Sequence, residues 1–156
     1  MREILFRGKN IDNGKWIYGG YVHLHKTTYC YAGSDDGNND IHRIVFERMT
    51  DWNLPNQHMM ADVLPETVGQ YTGLTDKNGV KIFEGDIVIC KKEICGNFID
   101  SCVEIGFVEM KHGAFGLHRK QGYYRPFKDW LEDYEYEVIG NIHDNPELLE
   151  GGGDNG

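Results

Sequence analysis

The sequence predicts a mainly β protein: an N-terminal β-hairpin region packed on a small C-terminal β-barrel, with short helical turns. Three observations lead there. No segment sustains a long apolar period of 3.6 residues. Short runs rich in β-branched and aromatic residues recur at turn spacing. The chain holds 20 glycines against 4 prolines, a balance that favours tight turns over long linkers. With 156 residues, 40% apolar and 12% aromatic, it can bury a real core, so disorder of the whole chain is not expected.

The elements follow in order. Glu3–Arg7 starts a strand, and Asp12-Asn13-Gly14 is a hairpin turn signal, since Asn-Gly supplies positive φ. The returning strand, Lys15–Leu24, carries Trp16, Tyr18, Val22 and Leu24 on one parity, and Gly19-Gly20 marks a bulge or bend within it. Residues 34–40 form a polar, flexible loop. Ile41–Met49 reads as a strand and Thr50–Met60 as irregular chain. Asp76-Lys77-Asn78-Gly79 is the clearest turn, joining Tyr71–Thr75 to Val80–Phe83. Ile87–Cys90 is a short apolar strand after the Gly85 corner. Val103–Met110 and Ala114–Arg119 form another hairpin. Pro126–Leu131 reads as a helical turn, and Tyr136–Ile142 as a last strand. Asn145 and Pro146 open a short helix as cap and first residue. The expected division is 1–65 for the N-terminal β region, 66–150 for the barrel and 151–156 for a flexible tail.

Three stretches together resemble the YopX family of phage and prophage proteins. They are Arg2–Lys9 with Trp16–Gly19, then Glu66–Val88, then Tyr136–Leu149. The second is long and specific, and the three span nearly the whole chain, while Thr27–Ala61 carries little of the likeness. The resemblance implies a β-rich protein whose second half is an SH3-like barrel, a phage or prophage gene in a bacterial host, and self-association. It implies no activity, and it offers no catalytic motif to carry over. Read physically, the long signature is a folding signature, because its turn residues set strand register.

The formal net charge is −9. Residues 1–128 carry sixteen acidic and sixteen basic side chains, whereas residues 129–156 carry nine acids and no Lys or Arg. This excludes a protein that neutralises phosphates over its whole surface, though not a local basic patch. No stretch reaches the ~20 apolar residues of a membrane span, and the N-terminus has no signal-like apolar core, so a cytoplasmic protein of the bacterial host is expected. Its cysteines, Cys30, Cys90, Cys95 and Cys102, are then expected as free thiols.

Catalytic patterns are absent: Ser34 and Ser101 lie in no nucleophile elbow, and no phosphate-binding glycine loop occurs. The parity of Glu104 and Glu109 argues against a carboxylate pair. Cys90, Cys95 and Cys102 lack the short pairing of a zinc knuckle. Asp35–Asp40 lacks the order of a calcium loop. His23 and His25 share a strand face and would make a metal site with Cys30 or a carboxylate. No third ligand has a recognisable spacing, and two solvent-facing histidines are the plainer reading. No catalytic residue, metal or cofactor is therefore expected.

The segment Gly116–Lys128 interleaves cations and rings without an acid. Arg119, Lys120, Tyr123, Tyr124 and Arg125 are its candidate interaction surface. The favoured expectation is a non-enzymatic interaction module that binds a protein partner or itself as a homo-oligomer. In it, the aromatic residues of Gly116–Lys128 pack inward and its cations pair with the acids from Asp129 to Glu137. The alternative is a single-stranded nucleic-acid-associated protein, in which bases stack on Tyr123 and Tyr124.

Overall fold

β1 (Phe6–Lys9) and β2 (Trp16–His25) form the expected first hairpin, with Phe6 opposite Gly19 and Lys9 opposite Trp16. Gly14 takes φ +67°, and the Asn13 side chain accepts the Lys15 amide at 2.9 Å, so the turn signal acts as read. This computed structural model describes residues 3–25, 40–94, 97–119, 122–127 and 134–150, with backbone alone for 92–94 and 97–102. The expected loop 34–40 up to Asn39, the tail 151–156, and Cys30, Cys95, Lys120 and Asp129–Asp133 lie outside the described residues. The chain divides into two units, Met1–Gln70 and Tyr71–Gly156.

In the first unit β2 changes partner midway. Residues up to Gly19 pair with β1, and from Gly20 onward the strand pairs with β3 (Asp40–Arg48). The bend sits at Gly19-Gly20, and a Cβ on Gly19 would overlap the Val45 carbonyl oxygen. β3 pairs in turn with β4 (Gln57–Asp62), register Val45 to Met60. β4 corrects the expectation of irregular chain over Thr50–Met60. Its Gln-His-Met-Met start has no apolar alternation to read, and its order comes from pairing with β3. A 3-10 turn at Pro65–Thr67 follows. Ile44 and Val63 are fully buried, and the Thr67 hydroxyl accepts the Lys9 amide at 2.8 Å. Gly69 and Gln70, which open β5 (Gly69–Thr75), pair with Arg7 and Phe6.

In the second unit β5 pairs with β6 (Lys81–Phe83). β7 (Asp86–Ile94), β8 (Asn97–Lys111), β9 (Ala114–Arg119), β10 (Tyr124–Pro126) and β11 (Tyr134–Asn141) make an antiparallel sheet in the order β10-β9-β8-β7-β11. Among the described residues no pairing joins β10 to β11, so this sheet is open at both edges. Tyr124–Pro126 pairs with Gly116–His118, Phe127 then enters a 3-10 turn, and residues 128–131 of the expected helical turn lie outside the described residues. The short helix α1 is Glu147–Glu150. Ile82 of β6 shares one core with Val88, Cys90, Val108, Leu117, Phe127 and Tyr136 of or beside the sheet.

Two buried carboxylates hold this unit's corners. Asp86 Oδ2 accepts the Phe83 amide at 2.7 Å beside Gly85, which has φ +81°. Asp76 accepts the Asn78 and Val80 amides at 2.8 and 2.9 Å through Oδ1, and the Val138 amide at 3.1 Å through Oδ2. Burial pushes the Asp76 carboxyl up, but the amides outweigh it and hold it below its ordinary value of 3.8. Asp76→Asn should therefore cost about 2 kcal/mol at neutral pH, measured by urea unfolding, because three amides lose a charged, buried acceptor. A depressed carboxyl stabilises above the unfolded value and loses that contribution as pH falls through the folded one. The gap between wild type and variant should thus close below about pH 3.8.

Candidate functional site

Cross-strand register decides where the predicted surface residues point. Arg119 opposes Gly106, Arg125 opposes Leu117, and Glu104 opposes Cys90. By the two-residue alternation of a strand, all of these lie on the core side of the second sheet. Glu104 is the hub of that face. It accepts Arg125 Nη2 at 2.8 Å and forms an ion pair with Arg119. Arg125 also donates to the Tyr134 hydroxyl at 2.9 Å, lies over that ring at 4.3 Å, and reaches Cys90 Sγ at 3.6 Å. Its side chain keeps only 12% of its exposure.

The tyrosines go elsewhere. Tyr124 opposes His118, which opposes Phe107, so the three rings form a row on the outer face. The Phe107 and His118 rings stack at 4.9 Å, and His118 Nδ1 lies 2.7 Å from Glu109. The Tyr124 ring lies against Gly116, where a Cβ would meet it at 2.8 Å, and its hydroxyl donates to the Ala114 carbonyl at 2.5 Å. Burial pushes its phenol up. Tyr123 is exposed at the β9–β10 turn. The candidate residues are thus split between two faces, and Lys120 is not described.

Of the acidic segment expected to pair with these cations, Asp129, Glu132 and Asp133 lie outside the described residues. Among the described residues, Glu104 from β8 takes both arginines, and Glu135 and Glu137 hold Lys77 at 3.4 and 2.7 Å. Glu104 and Glu109 serve opposite faces, in line with their parity. Sequence reasoning did not single out Glu104 as a partner, since only register brings it beside Arg119 and Arg125.

In the first unit, His23 and His25 do meet a carboxylate. It is Asp40, at the start of β3, with His42 alongside. Hydrogen bonds from His23 and then His25 hold the Asp40 carboxyl below its ordinary range.

The family model described as YopX protein matches residues 5–150. The chain belongs to the YopX family. No curated protein matches this YopX chain. Among solved structures, it is similar to protein EF1440 from Enterococcus faecalis, at 23% identity and a TM-score of 0.48, over 96% of this chain and 99% of that one. No helix among the described residues is long and apolar enough to cross a membrane.

Two outcomes follow for the inner face of the second sheet. Burial pushes the Cys90 thiol up to about 11. Iodoacetamide at pH 8 should therefore leave Cys90 unmodified in the folded protein and label it in urea, as read by peptide mass spectrometry. Glu104→Ala should cost about 2 kcal/mol in chemical unfolding, because it removes the carboxylate that two guanidiniums share at the end of a core.

Proposed function

We propose that this YopX protein is a non-enzymatic interaction module of a phage or prophage, acting in the bacterial cytoplasm, that self-associates through its β3–β4 hairpin. One observation carries the reading. At the hairpin's tip Trp52 is 92% exposed, between Met49 and Leu54, and Met60 on the edge strand β4 is 62% exposed. A Trp ring left in water together with three long apolar side chains is what a partner surface offers, and Trp is a frequent anchor of such contacts. The outer edge of β4 has no strand against it among the described residues. Such an edge pairs readily with a second strand.

The second unit acts as the scaffold of this module and is read as an open SH3-like barrel. What supports it is the β5–β6 hairpin sharing one core with β7, β8, β9 and β11 through Ile82. The single-strand nucleic-acid reading of Gly116–Lys128 draws no support from the arrangement of Arg119 and Arg125, whose guanidiniums meet Glu104 and not a groove lined by Tyr123 and Tyr124.

Light scattering over a concentration series tests the reading. Wild type should reach at least the mass of a dimer. Trp52→Ala and Met60→Lys should each shift it toward monomer with no loss of thermal stability, since both side chains are exposed in one chain. A monomer mass throughout, or an oligomer indifferent to both substitutions, overturns it.

A further inference from the structure

Histidines two apart on a strand share a face. β2 ends with His23-Leu24-His25, and β3 begins with Asp40-Ile41-His42. Register sets His23 directly opposite His42 and His25 directly opposite Asp40. The four side chains form a two-by-two block on one face of the β2–β3 pair. Opposed side chains there start from Cβ atoms ~5 Å apart, within reach of one another. The His23 and His42 rings stack at 4.6 Å with 13° between their planes. His23 Nε2 is 2.8 Å from Asp40 Oδ2, and His25 Nδ1 is 2.7 Å from Asp40 Oδ1. One donor atom each from His23, Asp40 and His42 lies within 4.8 Å of the other two.

We propose that His23, Asp40 and His42 bind a divalent transition-metal ion, zinc foremost, with water at the fourth position. Two imidazoles and a carboxylate suit zinc and its borderline neighbours, whereas magnesium and calcium select oxygen cages. Tetrahedral zinc with bonds of about 2.0–2.2 Å holds its donors about 3.3 Å apart. The His23–Asp40 pair need open only about half an ångström to admit an ion in place of the shared proton.

Outer partners are already in place. Metal-bound imidazoles and carboxylates are oriented by further hydrogen bonds. The Tyr21 hydroxyl lies 2.6 Å from Nδ1 of His42, leaving Nε2 for the metal. His25 plays the same part for Asp40. Tyr21 is itself held, with its ring 5.4 Å from Phe6 and its register partner Ile44 fully buried. The block is open to an aqueous ion, with side-chain exposures of 45% at His23 and 24% at Asp40. An ion bridging β2 and β3 binds only the paired strands and so stabilises that pairing.

The test uses the full-length protein without a His-tag, stripped by chelator, with zinc titrated by calorimetry and cobalt by visible absorption. One ion should bind per chain, with the intense d–d bands of a tetrahedral cobalt site. His42→Ala and Asp40→Asn should each weaken binding by more than about tenfold, and Tyr21→Phe by about tenfold. His58→Ala, on the opposite sheet face, should leave it unchanged. Zinc should raise the melting temperature of wild type but not of the His23→Ala/His42→Ala double variant. Absence of binding overturns the proposal, as does equal binding by wild type and the double variant. Circular dichroism confirms that the variants, all at solvent-accessible positions, remain folded.

Discussion

The second unit depends on one carboxylate. Asp76 closes its own turn by accepting two amides within four residues, then accepts the Val138 amide 62 positions away. The Lys77 amide donates to the Tyr136 carbonyl at 3.0 Å, so two successive residues of the turn grip β11. A tight turn thus becomes a clamp that holds the β5–β6 hairpin against the last strand. The Lys77 ammonium, paired with Glu135 and Glu137, adds an exposed contact to the same junction. With the Gly85 amide, which donates to the Val108 carbonyl at 2.9 Å, the clamp gives Ile82 a register that hydrophobic contact alone does not carry.

The inner face of the same unit shows how a polar group is tolerated beside a core. Val88, Cys90, Val108 and Leu117 fill most of that face, and Glu104, Arg119 and Arg125 end it. An arginine next to this apolar surface must lose water, and Glu104 with the Tyr134 hydroxyl replaces that water. Glu104 and Tyr134 raise the Arg125 guanidinium's affinity for its proton despite burial. The basic-aromatic stretch therefore has two structural tasks. Its guanidiniums close the inner face, and Tyr124 covers Gly116 on the outer one. Interleaving in sequence, which on a strand means alternation of faces, separated Arg119 and Arg125 from Tyr124.

Legibility in the sequence followed the range of each interaction. The turns at Gly14 and Gly79 and the bend at Gly19-Gly20 were legible because positive φ and close backbone approach leave a local mark in glycine. The mainly β character was legible from the short β-branched runs. β4 was not, because nothing in Gln57–Asp62 alternates and its order is borrowed from β3. The pairing of Glu104 with two arginines was hidden for the same reason. For His23 and His25 the shared face was readable from spacing alone. Their carboxylate was left as a type without a position, since Asp40 and His42 arrive only when β3 pairs in its particular register.

That register also keeps the two readings of the first unit apart. Along β3, Asp40, His42 and Ile44 share one face, and Val45, opposite Met60, belongs to the other. The face with His42 runs into the fully buried Ile44, so its imidazoles stand on a fixed base. The face with Met60 ends at an exposed edge, where nothing described covers it. A slip of one residue would exchange the faces, sending Ile44 to water and Val45 inward. The burial of Ile44 therefore fixes both arrangements at once. It sets which side chains meet across β2 and β3, and it leaves Met60 on the other, exposed side.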